Sequence, residues 1–249
     1  MEWILHKKYG QPVEITAQVR KAVPEELEKL FALQASVCAA MEDPEQFVPN
    51  EKQEMLDNIQ NQLTIGVWVE DTPIALAILR YDGLDRHNYA WYLDVPESDI
   101  PYWANADTVI VDPAWRGNQL QYRLMELLMQ WRRPEIIGMG CTVSPKNQFS
   151  LQNMQRCGFE IHSQRIMYGT HDRYLLRCQL APLPGKYQHF KGNEYRVYGM
   201  GLHSETEEPM VIYQPLYGEG KIWLRPVSMW SEHVDKPNYQ GPRFRYIGE

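Results

Sequence analysis

The chain has 249 residues, enough for one large or two small domains, and at 44% hydrophobic and 12% aromatic it can bury a real core. Its formal charge of −7, with no basic stripe, argues against a nucleic-acid footprint, and no run of roughly eighteen apolar residues is present to span a membrane. Four widely spaced cysteines without a C-x-x-C pair, and seven histidines without metal-ligand spacing, speak against a disulfide framework and a zinc site.

The N-terminal MEWILHKKYGQ has neither the apolar length nor the small-residue cleavage site of a signal peptide, so the expected location is cytoplasmic. VEITAQV, residues 13–19, predicts a strand. Pro24 suits the first turn of a helix, and Leu27, Leu30, Phe31 and Gln34 continue its apolar face to about Met41. Asn50, with Gln53 three residues on, has the spacing of a capping box before a second helix bearing Met55, Ile59 and Leu63. Residues 64–69 and 73–81 read as a hairpin turning at Glu70-Asp71-Thr72. Residues 82–103 read as loop, with an Asp82-Gly83 turn and the aromatics Tyr89, Trp91, Tyr92 and Trp103.

Residues 107–121, DTVIVDPAWRGNQLQ, carry the strongest local signal. Val109 and Val111, alternating with Ile110 and Asp112, form a strand that stops at Pro113. An Arg116-Gly117 turn follows, then a helix with Leu120, Leu124, Leu127, Leu128 and Trp131 on its apolar face. A helix that opens directly after a strand presents unpaired N–H groups and partial positive charge, an arrangement suited to phosphate. Residues 136–143 predict a strand and 150–157 a helix closed by Gly158 at C′. Residues 159–167 and 174–180 are the next strands, turning near His171-Asp172. LAPLPGK, residues 180–186, reads as a linker. Residues 184–249 carry eight basic and eight acidic side chains, so the whole −7 resides in the preceding part. Beyond the linker, alternating apolar runs separated by Gly-Asn, Ser-Glu-Thr-Glu and Gly-Glu-Gly turns indicate a compact antiparallel β domain.

The Val-x-Pro-x-x-Arg-Gly-Asn layout resembles the acetyl-CoA pyrophosphate loop of the GNAT family of N-acetyltransferases, and the element order β-α-α-β-β-β-α-β-α-β-β over residues 12–181 is similar to theirs. The resemblance implies an α/β (α+β) class: a mixed, mostly antiparallel seven-stranded sheet with flanking helices in a domain of residues 1–181. It implies acetyl-CoA as acyl donor and a small-molecule or peptide amine as acceptor. It places Val109, Ile110, Val111, Arg116, Gly117, Asn118, Gln119, Leu120 and Gln121 at the donor. From TVSPKNQFSLQNMQRCGF, residues 142–159, it adds Asn147 and Ser150. Asn147 is equally suited to capping a helix.

Two positions depart from the family. Small residues usually stand where this chain has Gln119 and Gln121, and the Gln119 side chain must point away from the pyrophosphate or crowd it. The position of the family's tyrosine general acid is Met154. A carbonyl-polarising N–H, freed by a bulge in the fourth strand, maps to residues 108–111. Asp107 is the candidate base. His87 and His171 are further bases on flanking loops, and Tyr168 is an alternative acid. Trp91, Tyr92 and Trp103 either line an acceptor pocket or cover a core edge.

YxHFKGNxYxV, VIYQPLYG and LRPVSMW resemble a small family of domains of unknown function, which makes residues 182–249 a linker and second, all-β domain. Its Tyr187, His189, Tyr213, Tyr217, Trp223 and Trp230 either bind a ligand or form the core that so small a domain needs. Two other functional classes stay open. One is a catalytically degenerate GNAT scaffold serving as a CoA sensor or interaction module, as Gln119 and Met154 suggest. The other is nucleotide binding by the second domain, whose even charge opposes backbone binding but not a stacking pocket.

Overall fold

A computed structural model describes residues 1–6 and 14–249. The chain folds into two compact units. The first comprises residues 1–81, 105–132 and 140–177, and the second 82–104, 133–139 and 178–249.

The large sheet begins with β1 (Glu2–His6) and β2 (Glu14–Lys21). Val13, the first residue of the predicted strand, lies outside the described residues. α1 (Leu27–Ala39) follows a 3-10 turn, Pro24–Glu26, in which the Glu26 carboxylate reaches back to accept the Val23 N–H at 3.0 Å. α2 (Lys52–Asn61), β3 (Leu63–Val69), β4 (Thr72–Arg80), β5 (Trp103–Val111), α3 (Leu120–Trp131), β6 (Gly138–Val143), α4 (Gln148–Arg156), β7 (Glu160–Met167) and β8 (His171–Gln179) complete it. The strand order is β1-β2-β3-β4-β5-β6-β8-β7, so the sheet has eight strands rather than the expected seven. The additional strand is β1, paired antiparallel to β2 from Glu2↔Gln18 to His6↔Glu14. Five residues without a turn signal give little periodicity to read, and their pairing partner decides their conformation.

β3 and β4 are buried on both faces, as central strands must be. On one face, Leu30, Leu33 and Val37 of α1 and Met55 and Ile59 of α2 pack with Trp68, Leu76, Ile78 and Ile110. α3 buries Leu120, Leu124, Leu127 and Leu128 of the predicted stripe; Trp131 is only partly buried, and Met125, not predicted, is buried as well. α2 does not start as expected. Glu51 is its N-cap, and Asn50 stands outside the helix, buried, with its amide turned to the sheet.

In the second unit, β9 (Gly185–His189), β10 (Glu194–Leu202), β11 (Pro209–Pro215), β12 (Trp223–Pro226) and β15 (Phe244–Gly248) form an antiparallel sheet, ordered β12-β11-β10-β9-β15. One turn of helix, α5 (Val227–Trp230), and the hairpin β13 (His233–Lys236) and β14 (Tyr239–Pro242) precede β15. Segment 82–104 is held from within. Buried Asn88 donates through Nδ2 to the carbonyls of Gly83, Ile100 and Trp103 and accepts the Ala90 N–H. Trp103 lies over Gly138, where a Cβ would come within 2.4 Å of the indole. Asp99 of this segment meets His233 of β13 at 2.9 Å, and Leu180 N–H donates to Ile137 C=O at 2.8 Å. These contacts join segments far apart in sequence into one unit.

Candidate functional site

The loop between β5 and α3 is built by local capping. The Asp112 carboxylate accepts the Ala114 N–H at 2.8 Å and sets the 3-10 turn Pro113–Trp115, which buried Trp115 anchors. Gly117 has φ +95°, a conformation that explains glycine there. Asn118 fastens the loop to β1. Its Oδ1 accepts His6 N–H at 2.8 Å, and its Nδ2 donates to His6 C=O at 2.7 Å and Trp115 C=O at 3.0 Å. Gln119, the α3 N-cap, is left-handed at φ 54°, ψ 27° and makes no side-chain cap. The first helical bond runs from Arg123 N–H to Gln119 C=O at 3.0 Å. The N–H groups of Leu120, Gln121 and Tyr122 therefore lie beyond the ladder, at the positive end of the helix.

The side chains expected at this loop have distinct surroundings. Arg116 is exposed and reaches no carboxylate among the described residues. The Gln119 Oε1 accepts from Arg156 Nη1 at 2.9 Å, drawing the carboxamide toward the end of α4. The same Arg156 guanidinium lies 4.2 Å from the Tyr122 ring, and Arg123 lies 3.8 Å over Trp3. Leu120 is buried. Gln121 donates to Ser150 Oγ at 2.9 Å and accepts from Asn153 Nδ2 at 2.8 Å, tying α3 to α4.

α4 has both predicted ends. Asn147 Oδ1 accepts Ser150 N–H at 3.0 Å, an N-cap. Gly158, at φ 87°, closes a Schellman motif: its N–H donates to Gln155 C=O at 2.9 Å and Phe159 N–H to Met154 C=O at 3.0 Å. Met154 itself is buried at 3% exposure, an apolar core group. Just before α4, Lys146 Nζ reaches Asp43 at 3.0 Å and Glu45 at 3.6 Å. Both partners hold the ammonium charged, chiefly through the Asp43 hydrogen bond, which also lowers the Asp43 pKa. The Tyr168 hydroxyl, from the β7–β8 turn, bonds Thr142 Oγ1 on β6 at 2.9 Å.

β5 does contain a bulge. Ile78 pairs with Thr108 but Leu79 with Ala106, so Asp107 is the extra residue. The expected span was 108–111; there Val109, Ile110 and Val111 instead pair regularly with Ala77, Leu76 and Ala75. Asp107 accepts from Thr108 Oγ1 at 2.9 Å and lies 4.0 Å from Arg80, which also donates to Glu54 at 2.7 Å. Sequence reading missed the buried chain behind it. Asn50 Nδ2 donates to Thr108 Oγ1 at 2.9 Å, Asn58 Nδ2 to Asn50 Oδ1 at 2.9 Å, and Gln34 Nε2 to Asn50 C=O at 2.8 Å. An Asn that looked like a cap was the available sign. His87 is exposed and bound to Asp85 at 2.6 Å, and His171 Nδ1 lies 3.4 Å from Tyr168 C=O. Trp91 donates to Asp85 C=O at 3.0 Å under Arg86, Tyr92 is exposed, and Trp103 is buried.

In the second unit, Tyr187, Tyr213 and Trp230 are core, with Tyr195, Val197, Val211 and Phe244; Tyr217 and Trp223 are exposed. No helix among the described residues is long and apolar enough to cross a membrane.

Known proteins resemble the two parts of the chain separately. No curated protein matches the chain. A GNAT-family acetyltransferase from Streptococcus pneumoniae is 16% identical, covering 66% of this chain and 99% of its own, with a TM-score of 0.51. The loading GNATL domain of CurA from Lyngbya majuscula is 15% identical over 66% of this chain and 97% of its own, with a TM-score of 0.50. A DUF1653 protein from Bordetella bronchiseptica is 37% identical over 26% of this chain and 87% of its own, with a TM-score of 0.25. Residues 185–246 match the family model described as a protein of unknown function, DUF1653. The chain thus joins the fold of the GNAT acetyltransferases to a C-terminal domain that belongs to the DUF1653 family.

Proposed function

We propose that the protein binds acetyl-CoA at the α3 N-terminus and transfers the acetyl group directly to an amine. The observation that carries this reading is the loop of residues 116–121 in a GNAT fold. Three N–H groups lie outside the helical ladder beside an exposed, carboxylate-free Arg116, with Gly117 in a conformation that brings backbone rather than side chain forward. Gln119, drawn aside by Arg156, leaves that face to the diphosphate. Val109, Ile110, Val111, Asn147 and Ser150 flank the acyl arm in this reading. The neutral amine nitrogen attacks the thioester carbon, the C–S bond breaks, and the thiolate leaves. An N–H aimed at the developing oxyanion lowers the barrier by a few kcal/mol, about 3. Asp107 at the bulge, 4.0 Å from Arg80, is the base of this scheme and takes the proton of the attacking amine.

A second reading, a CoA-binding module without turnover, is favoured by buried, apolar Met154 where an acid would stand. A thiol-release assay over small amines, amino acids and peptides separates the two. Amine-dependent CoA release supports transfer, and its absence from a chain that binds acetyl-CoA supports the module. Gln119→Gly sharpens the comparison. Glycine removes a left-handed penalty of about 1 kcal/mol from the folded chain, and because Arg156 already draws the carboxamide aside, acetyl-CoA should bind no less tightly. Clearly weaker binding would show that the Gln119–Arg156 pair itself shapes the loop.

A further inference from the structure

At one end of its core face the DUF1653 sheet carries a polar cluster around Arg225, a cation with no carboxylate partner among the described residues. Register places Trp223 opposite Tyr213 and Arg225 opposite Val211; Tyr187 stands opposite Tyr195, and Phe244 opposite His189. These residues all share the face on which Trp230 stacks on Phe244 at 3.9 Å. Trp230 covers the middle of this face. The part bearing Arg225, Trp223 and Tyr217 stays accessible, with Trp223 43% and Tyr217 44% exposed.

Arg225 is the unusual group. Its Nε donates to the Tyr213 hydroxyl at 3.3 Å, and its guanidinium lies 5.9 Å from the Tyr213 ring and 5.7 Å from that of Phe244. Among the described residues it reaches no carboxylate. Nearby Arg243, by contrast, is neutralised by Glu232. Donors converge beside it. Tyr195 and Tyr217 share a hydroxyl–hydroxyl bond of 2.7 Å; burial and that bond push the Tyr195 pKa up to about 12, so its proton is retained. The His189 Nδ1 accepts the Lys191 N–H at 3.3 Å, so the neutral ring carries its proton on Nε2. Burial first, and then the charges of Arg243, Lys191 and Arg225, lower the His189 pKa and favour the neutral ring.

A half-buried guanidinium without a counter-charge, neutral donors around it and exposed aromatic edges beside it make a site for one chemical class. We propose that Arg225, His189, Tyr195, Tyr213, Tyr217 and Trp223 bind a small anion carried on a planar ring. Arg225 and the hydroxyls take the anion, and Trp223 and Tyr217 stack the ring. This site is independent of the acetyl-CoA reading, because all of its residues belong to the DUF1653 sheet and its loops.

Calorimetry and saturation-transfer NMR on the full chain test it with four probes. Adenosine monophosphate carries ring and phosphate, nicotinate ring and carboxylate, adenosine the ring alone, and inorganic phosphate the anion alone. Binding of either ring-borne anion more tightly than its separate parts is expected, and the preferred one identifies the anion. Arg225→Gln should weaken that binding about tenfold or more. Trp223→Ala, at an exposed position, should weaken the ring probes. Arg196→Gln, which strand alternation puts on the other face, should leave binding unchanged, as should Arg116→Ala. His189 imidazole resonances should titrate at higher pH in the bound state. The proposal is overturned if neither ring-borne anion binds, if Arg225→Gln binds as well as wild type, or if only Arg116→Ala reduces binding.

Discussion

Trp230→Ala should unfold the DUF1653 sheet at ordinary temperature. The indole is 3% exposed, stacked on Phe244 at an interplanar angle of 6°, with Tyr213 at 5.2 Å and Tyr187 at 5.4 Å edge-on. Truncating a buried tryptophan costs about 3–5 kcal/mol through lost transfer energy and the cavity left behind. A β domain this small rarely has more than about 3–5 kcal/mol in total. Hydrogen exchange at the amides of β9, β10 and β11 checks the prediction. Protection should collapse in Trp230→Ala and largely persist in Trp230→Phe. Full protection in the alanine variant would mean that the core is held elsewhere.

The second large effect is expected at His233. The Asp99 carboxylate is almost completely buried, and its partners are the His233 ring at 2.9 Å and Ser98 Oγ at 3.3 Å. Burial raises the Asp99 pKa, against the pull of both partners. A raised native value means that stability linked to Asp99 is present below the ordinary aspartate pKa, about 3.9, and declines as pH rises through the native value. His233→Ala removes the main support for the ionised form, so at neutral pH it should cost about 3 kcal/mol. The deficit should shrink as pH falls through the raised native value, where the buried Asp99 carboxyl takes up its proton and no longer needs the His233 ring. Adding Asp99→Asn should recover part of the loss. Urea unfolding of the three variants at neutral and acid pH provides the test. A pH-independent deficit would show that His233 acts by packing alone.

Sequence reading was most successful where a feature is fixed locally. The apolar stripe of α3, Gly158 at the end of α4, the hairpin of β3 and β4 and the Asn147 cap depend on neighbours within a few residues. It failed where the deciding partner is remote. β1 exists because β2 pairs with it. Asn50 has a capping spacing, yet Thr108, 58 positions away, takes its amide. Segment 82–103 is turn and short 3-10 helix up to Trp103, as its loop reading expects, but the bonds of Asn88 and Asp99 to carbonyls and a histidine that hold it left no periodic sign. The candidate site divides in the same way. The turn at Gly117 and the open start of α3 were legible from the strand–turn–helix spacing. Arg156 on Gln119 and the displacement of the bulge to Asp107 needed the assembled sheet.

The central claim, that the α3 loop is an acetyl-CoA site, is tested most directly by calorimetric titration of acetyl-CoA into wild type and Arg116→Ala. Wild type should bind saturably, and removal of the exposed guanidinium should weaken binding about tenfold or more, since a charge-assisted contact to phosphate is worth about 1.5–3 kcal/mol. Absence of binding by well-folded wild type, or equal binding by the variant, would contradict it.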